Sequence, residues 1–241
     1  NIMALPILNT TIHELSLPST GEKIKFRPFL VKEEKILLTA LEGGEEKEIT
    51  NATKQIITQC ISSEDFDVNN VPTFDIEYIF LMLRSKSVGN SIELKYEPLC
   101  YEECKTLAEI NVQIDDIKVE KEKNHSNKIY ITDDIMIFLK YPKIDSLTKL
   151  NQSNQIDMVF DVVLNCIDKI YEGEEVHNSV DYKKEELMEF LNSLSSVQFQ
   201  KIQVFFDTMP KLRYTSQWSC PNCGKKDEKI IEGLNSFFEL A

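Results

Sequence analysis

The chain has 241 residues, of which 42% are hydrophobic and 28% are charged, a composition typical of a soluble globular protein with a sizeable core. Its formal net charge of −13 argues against nucleic-acid binding along the chain, because phosphates repel an acidic surface. The apolar runs are shorter than the ~20 residues of a membrane span, no signal peptide is expected, and only 7 glycines argue against a phosphate-loop enzyme.

The N-terminal third is predicted to hold a β-hairpin followed by three helices. Alternating apolar residues indicate two strands, at 10–17 and 23–29, and a Pro-Ser-Thr-Gly turn joins them. Apolar residues at helical spacing then predict helices over 30–41, 49–61 and 74–84. The third helix is so rich in apolar residues that we expect it to be buried on most sides.

The middle of the chain is predicted to be rich in β-structure. Period-two alternation indicates strands near 92–96, 107–114, 117–119, 129–131 and 135–139. A charged loop at 120–127 separates two of these strands. His125 lies in that loop, and we expect it to be a solvated side chain rather than a metal ligand.

The last hundred residues are predicted to be mainly helical. Helices are expected over 156–171, over 182–194 with Asp181 as a cap, and over 195–209, where Ser195 and Gln198 form a capping box. Strands near 212–218 and 226–231 and a short terminal helix over 233–240 follow.

The fold class expected from these elements is α+β. It combines an N-terminal β-hairpin and helices, a central antiparallel β region with a split zinc-ribbon-like element, and a helical C-terminal half. The segments 1–90, 91–142, 143–210 and 211–241 are expected to form one compact unit.

Two cysteine pairs carry the strongest chemical signal. The run Cys220-Pro-Asn-Cys223-Gly is typical of a metal knuckle, because two thiolates at this spacing can bind one tetrahedral ion and the glycine permits a tight turn. Cys100 and Cys104 offer a second pair, although their spacing is one residue longer than usual. We therefore predict a structural Zn²⁺ site at Cys100, Cys104, Cys220 and Cys223, since four thiolates leave no coordination position open.

Other chemistries are less well supported. An iron–sulfur cluster would also use cysteines, but the compact multi-cysteine runs of ferredoxins are absent. A redox dithiol would need a helix that begins at Cys220, whereas the sequence there favours a hairpin. Cys60 and Cys166 lie on apolar helix faces and are expected to be inert buried thiols. No histidine or acid pair shows a catalytic pattern, so we expect no enzyme and no catalytic residues.

Basic residues surround the second knuckle and could offset thiolate charge. A solvated face is a better interpretation of this cluster than a nucleic-acid patch, given the acidity of the chain. The cluster consists of Lys211, Arg213, Lys225, Lys226 and Lys229.

Several short runs together resemble a known family. They are Met3-Ala-Leu-Pro6, Leu17-Pro-Ser-Thr-Gly21, residues 27–35 (RPFLVKEEK), residues 74–78 (FDIEY), residues 84–89 (RSKSVG), residues 205–210 (FFDTMP), and the 220–224 knuckle with Glu232-Gly-Leu234. In this order and spacing, the chain resembles the baseplate hub subunit family of T-even-type contractile-tailed bacteriophages. The family's cysteine pattern is matched most clearly at Cys220 and Cys223.

The resemblance implies a non-enzymatic structural or assembly protein of the phage tail baseplate hub. Its expected partners are other hub or tail proteins, with the tape measure protein as a further candidate, and neither nucleic acid nor membrane. It would be located in the virion tail baseplate, and in the host cytoplasm during assembly.

Alternatives remain open at this point. They are a tail assembly chaperone that is not retained in the virion, a zinc-ribbon nucleic-acid accessory protein, and a thiol oxidoreductase. Residues 27–35 are equally compatible with a partner-binding site and with a solvated helix start.

Overall fold

The computed structural model describes residues 9–144 and 155–233. The terminal helix predicted over 233–240 lies outside these residues, apart from its first position. Helices and antiparallel strands mix throughout the described part, which confirms the α+β class. The helices are α1 (Val31–Gly43), α2 (Glu46–Cys60), α3 (Thr73–Ser87), α4 (Tyr101–Cys104), α5 (Gln155–Cys166), α6 (Lys184–Asn192) and α7 (Ser196–Thr208). None of these helices is both long and apolar enough to cross a membrane.

Eleven strands are found in the described residues, and they form four sheets. Two are the hairpins β1–β2 and β3–β4, one has the order β11-β10-β5, and one has the order β6-β7-β8-β9. The strands are β1 (His13–Ser16), β2 (Lys23–Phe26), β3 (Ser91–Tyr96), β4 (Ala108–Gln113), β5 (Lys118–Glu120), β6 (Lys128–Tyr130), β7 (Ile135–Leu139), β8 (Ile167–Glu172), β9 (Glu175–Asn178), β10 (Lys211–Ser219) and β11 (Lys226–Glu232).

The chain divides into two compact units. Among the described residues, the first contains residues 9–68, 74–119 and 212–233, and the second contains residues 69–73, 120–144 and 155–211. The second unit is therefore an insertion, in sequence, within the first.

The core of the first unit lies between α3 and the strands that follow it. Six apolar residues of α3 are buried, as expected for a helix surrounded on most sides: Phe74, Ile76, Ile79, Phe80, Leu81 and Leu83. Leu81 belongs to the same cluster as Ile92 of β3 and Leu212 of β10. This packing joins segments from the middle and the end of the sequence.

Two fully buried carboxylates, those of Asp75 and Glu33, accept hydrogen bonds in the N-terminal part of this unit. Asp75 of α3 accepts a hydrogen bond from the backbone N–H of Ser19 at 3.0 Å, and the Ser19 hydroxyl donates to its second oxygen. Burial raises the pKa of Asp75, against the effect of these two bonds. Glu33 of α1 is likewise inaccessible, and its oxygens bind Arg27 and the backbone of Leu30.

The second unit is built on the four-stranded sheet β6-β7-β8-β9. Ile129, Ile137 and Ile170 lie opposite one another on β6, β7 and β8. They are buried in one cluster with Ile202 and Phe205 of α7. One face of the sheet therefore packs against helices.

Residues 167–172 form a strand, so the helix predicted over 156–171 is wrong at its C-terminal end. Helix α5 ends at Cys166, and β8 pairs with β7. Ile167 and Ile170 are three residues apart, which suits a helix, but a register shift in β8 opposite Phe138 and Leu139 lets both face the core. A bulge of this kind breaks the period of two by which a strand is identified.

The helical C-terminal half is a further expectation that the structure corrects. Between residues 128 and 232 the described chain contains six strands beside three helices. Residues 175–178, which include His177, form strand β9, where no strand was predicted. Asp181 lies in a short 3-10 turn, and the N-cap residue of α6 is Lys183.

His125 is partly buried rather than solvated. Its Nδ1 lies 3.0 Å from the Thr208 hydroxyl and its Nε2 lies 3.1 Å from the Tyr141 hydroxyl. The ring also lies beside Phe205, with centroids 5.1 Å apart. Burial, and secondarily Lys121, lower the pKa of His125. The charged sequence around it concealed this contact, because its partners come from distant residues.

The capping box predicted at the start of α7 is confirmed. The Ser195 hydroxyl accepts a hydrogen bond from the backbone N–H of Gln198 at 3.3 Å, and the Gln198 side chain accepts one from the Ser195 N–H at 2.8 Å. Ser195→Ala should lower the free energy of unfolding of this unit by about 1 kcal/mol, because one helix N–H loses its partner. Thermal melts followed by far-UV circular dichroism measure this.

The neighbouring Ser196→Ala is the matched control for this prediction. Ser196 is exposed and makes no capping bond, so its substitution should change the stability by less than about 0.5 kcal/mol. Equal losses in the two variants would contradict a specific role for the cap.

Candidate metal centre

The first cysteine pair lies in the connection between β3 and β4. Cys100 is the N-cap of the one-turn helix α4, and Cys104 is its last residue. The backbone N–H of Cys104 donates to the Cys100 carbonyl at 2.9 Å. Because residues four apart on a helix lie on the same side, this turn explains how a pair with three intervening residues can direct both thiols to one point.

The second pair lies in the turn between β10 and β11. The Cys220 N–H donates to the Lys225 carbonyl, and the Gly224 N–H donates to the Cys220 carbonyl, each at 2.9 Å. Gly224 has φ +69°, in the left-handed region, where glycine is favoured because it has no Cβ. Both pairs thus lie at the ends of antiparallel strand pairs in the first unit.

The structure brings all four predicted cysteines together. Their Sγ atoms lie within 4.8 Å of one another, although residues 105–219 separate the pairs. Sulfurs bound to one tetrahedral zinc at ~2.3 Å are about 3.8 Å apart, so the cluster fits an ion after a small contraction. Cys100 and Cys220 are buried, whereas Cys104 is partly exposed and Cys223 is exposed.

The surroundings of the cluster shift the pKa values of Cys100, Cys104 and Cys220 in different directions. Burial opposes the thiolate of Cys220, but bonds from the backbone N–H groups of Cys223 and Asn222 and from neighbouring thiols lower its pKa to about 7. Burial and the nearby Cys220 raise the pKa of Cys100 to about 11. Hydrogen bonding with Cys223, followed by burial, raises the pKa of Cys104 to about 12. The surroundings therefore favour the thiolate form of Cys220 and oppose that of Cys100 and Cys104.

Side chains around the cysteines join the two connections directly. The Asn222 amide donates to the Thr106 hydroxyl at 2.7 Å, and Lys225 pairs with Glu103 at 2.8 Å. The backbone N–H of Leu99 also donates to Asp227 at 3.0 Å. Of these residues, only Lys225 was noted from the sequence, as a member of the basic cluster near the knuckle. The position of Asn222 inside the knuckle was a local signal, but nothing in the sequence indicated Thr106 as its partner or Glu103 as the partner of Lys225.

At least three of the five basic residues near the knuckle have partners within the protein. Lys225 pairs with Glu103, Arg213 pairs with Glu232 at 2.7 Å, and the Lys229 ammonium lies 4.8 Å from the centroid of the Tyr96 ring. Lys225 and Arg213 of the cluster are thus paired with acidic residues of the same unit.

The other candidate residues lie away from this cluster. Cys60 and Cys166 are fully buried, as predicted, and burial raises the pKa of Cys60 to about 11 and that of Cys166 to about 12. Neither thiol belongs to the metal-capable cluster. Within the run 27–35, Glu33 is buried and bound to Arg27, so this part of the run supports the fold and is neither solvated nor free for a partner.

Comparisons with known proteins agree over nearly the whole chain. The sequence is 25% identical over 221 residues to the protein named "Baseplate hub assembly protein gp26" of Enterobacteria phage T4, an alignment that covers 91% of this chain and 95% of the relative. No solved structure matches. The sequence model of the T4 bacteriophage base plate protein family matches residues 10–239. Since this match includes both cysteine pairs and both compact units, the chain belongs to the T4 bacteriophage base plate protein family.

Proposed function

We propose that the protein is a non-enzymatic structural or assembly component of the phage tail baseplate hub, and that it acts through contacts with other hub or tail proteins. The observation that carries this proposal is the family match over residues 10–239. The T4 relative is by name a hub assembly protein, which supports a place in the virion tail baseplate and, during assembly, in the host cytoplasm. The tape measure protein is a further candidate partner.

The four cysteines support a structural Zn²⁺ in this protein. Four sulfur ligands would occupy every position of a tetrahedral ion, so no site would remain for a substrate or a reactive water. We interpret the two strand pairs with cysteines at their ends as the halves of a zinc ribbon, separated in sequence by residues 114–210. Such an ion would connect the middle of the chain to its end and stabilise the first unit.

Elemental analysis tests the metal. Protein purified without chelator should contain about one zinc per chain, as expected for a closed four-thiolate site. Iron is the other metal that tetrahedral sulfur sites favour, and its visible absorbance would distinguish it. Protein that folds with all four thiols free and no bound metal would contradict the proposal.

Asn222→Ala tests whether the residues around the cysteines position them. Loss of its bonds to Thr106 and the Cys104 carbonyl should loosen the contact between the two connections. Zinc affinity, measured by competition with a chromophoric chelator, should fall by about 10-fold, the lower end of the range for such supporting groups. The exposed Asn192→Ala, in the second unit, should leave the affinity unchanged. Equal affinities in the two variants would assign Asn222 no role at the site.

Co-expression tests the assembly function. The full chain should form a stable complex with at least one baseplate hub protein of the same phage when the two are produced together and separated by size-exclusion chromatography. A chain that remains alone with every hub protein and with the tape measure protein would contradict the proposal.

The word "assembly" in the name of the T4 relative favours a second candidate, an assembly chaperone that is absent from the finished particle. Mass spectrometry of purified virions separates the two roles, since a structural component persists in the baseplate and a chaperone does not.

A further inference from the structure

We propose that the outer face of the four-stranded sheet in the second unit is a docking surface for a short, acidic amphipathic helix of a baseplate partner protein. This inference rests on the proposed function, because it names the surface and the partner chemistry through which the protein would act. The surface, called here the outer sheet face, consists of Tyr130, Met136, Tyr171, Val176, Lys128, Phe138 and Lys169.

The strand register defines the apolar part of this face. Tyr130 of β6 pairs with Met136 of β7, Met136 pairs with Tyr171 of β8, and Tyr171 pairs with Val176 of β9. These four residues therefore form one continuous row across all four strands. Directly paired side chains on one face lie close enough to form a single contact surface.

This row lies opposite the core of the unit. The adjacent register position holds Ile129, Ile137 and Ile170, which are buried against the helices. Since successive side chains on a strand point to opposite faces, the row points away from that core. Tyr130 is 62% exposed and Val176 is 47% exposed, and Met136 and Tyr171 are partly exposed. An aligned row of exposed aromatic and aliphatic residues is typical of an interaction site.

A second row gives this face its charge. Lys128 pairs with Phe138, and Phe138 pairs with Lys169, so two lysines flank a phenylalanine next to the apolar row. Neither lysine side chain has an ion pair among the described residues. On the opposite side of the same sheet, Glu172 and Glu175 lie beside His177. Asp168 lies at the bulge, outside this register.

The local charge selects the partner chemistry. The whole chain carries a net charge of −13, yet the outer sheet face presents two ammonium groups around apolar side chains, and neither is ion-paired with a described residue. Complementary charge gives an interface its specificity and speeds the encounter of the partners. The face therefore fits a segment whose apolar residues are flanked by Asp and Glu.

The edge of the sheet indicates that this segment lies on the face instead of adding a strand beside β6. The Lys201 ammonium donates to the carbonyl oxygens of Tyr130 and Ile131, at 2.8 and 3.1 Å, and so occupies acceptors at this end of the β6 edge. A lysine at a sheet edge protects it against strand addition. The row across four strands spans about 14 Å at ~4.8 Å per strand, which matches about nine or ten residues of a helix with a rise of 1.5 Å.

Binding of partner peptides to the full-length protein tests the proposal. The probes are overlapping peptides of about 15 residues, longer than the helix that the face accommodates, taken from the hub proteins of the same phage and measured by fluorescence anisotropy. Peptides with apolar residues flanked by Asp and Glu should bind. The double variant Lys128→Glu/Lys169→Glu should weaken their binding by about tenfold or more, because it replaces attraction by repulsion.

The matched control reverses two exposed lysines of the first unit. Lys35→Glu/Lys47→Glu changes the net charge by the same amount, and neither side chain has an ion pair among the described residues. The affinity of this control for the peptides should stay within about twofold of the wild type, since neither lysine belongs to the outer sheet face and a charge outside an interface changes its affinity little. Circular dichroism of both variants should match the wild type, because three of the four lysines are exposed and Lys169 is only partly buried.

Each other outcome overturns the inference. If a hub protein forms a complex that both double variants retain equally, the proposed function stands and the docking surface is wrong. If no hub protein or peptide binds the wild type, the proposed function and the docking surface are both wrong. Equal or tighter binding of a single-stranded oligonucleotide would identify the face as a nucleic-acid platform, and a wild-type dimer lost in Lys128→Glu/Lys169→Glu would identify it as a self-association surface.

Discussion

Cys220→Ser should reduce the zinc content from about one ion per chain to near zero and should lower the Tm of the first unit. The Cys220 thiol is buried at the centre of the cluster, and backbone N–H groups already favour its thiolate. Its loss would remove the ligand best prepared for the metal. Because ligands separated by residues 105–219 have no fixed geometry in the unfolded chain, the binding energy of the ion is also folding energy. Elemental analysis and calorimetry measure the two effects.

Chelation and a second cysteine variant separate metal loss from general damage to the core. A strong chelator should lower the Tm of the wild type and leave that of Cys220→Ser unchanged. Cys60→Ala, which removes a buried thiol outside the cluster, should lower the Tm while the zinc content stays the same. If Cys220→Ser retains stoichiometric zinc, or if the chelator affects both proteins equally, the four-thiolate site is wrong.

The candidate site was predictable because its signal is local. The spacing within each cysteine pair, together with the turn at Gly224, indicated which residues would meet. Their supporting contacts were not predictable in this way. Asn222 reaches Thr106, and Lys225 reaches Glu103, and such pairs depend on how β3–β4 and β10–β11 lie beside each other.

The errors in the predicted fold also come from contacts that local sequence does not reveal. Helices with a capping signal, such as α7 at Ser195, were identified from neighbouring residues. Strand β8 was not, because the bulge opposite Phe138 and Leu139 gave Ile167 and Ile170 a helical spacing. His125 was predicted to be solvated, but its ring contacts Thr208 and Tyr141, which are distant in the sequence. The run 27–35 was compatible with a solvated helix start or a partner site, but Glu33 within it is buried and bonded to residues only three and six positions away. Charge density along a sequence does not report the burial of an individual residue.

The second large effect is expected at Glu33. Its side chain is fully buried, and its oxygens accept hydrogen bonds from Arg27 and from the backbone N–H of Leu30, each at 2.8 Å. Glu33→Ala would leave both donors without this acceptor, so we expect a loss of roughly 3 kcal/mol in the free energy of unfolding, the lower end of the range for a broken buried ion pair. Urea titration followed by the fluorescence of Trp218, the single tryptophan, reports on the same unit.

The pH dependence distinguishes the charge of Glu33 from its packing. Burial alone would raise the pKa of this carboxyl, but bonds from Arg27, Leu30 and Lys32 lower it from 4.5 to about 2. The folded pKa is thus below the unfolded one, so the contribution of Glu33 is fully present above the unfolded pKa and is lost as the pH falls towards 2. The difference in stability between the wild type and Glu33→Gln should therefore be constant near neutral pH and shrink in acid.

The comparison with a variant is necessary because protonation of Asp75 changes the stability in the opposite direction to protonation of Glu33. Its pKa is raised by burial, so its protonation favours the folded state and partly conceals the loss at Glu33 in the wild-type curve alone. Taking the difference between two proteins that both retain Asp75 removes this contribution. The exposed neighbour Glu34→Ala should change the stability by less than about 0.5 kcal/mol. A Glu33→Gln difference that persists undiminished in acid would show that Glu33 stabilises α1 by packing alone, without its charge.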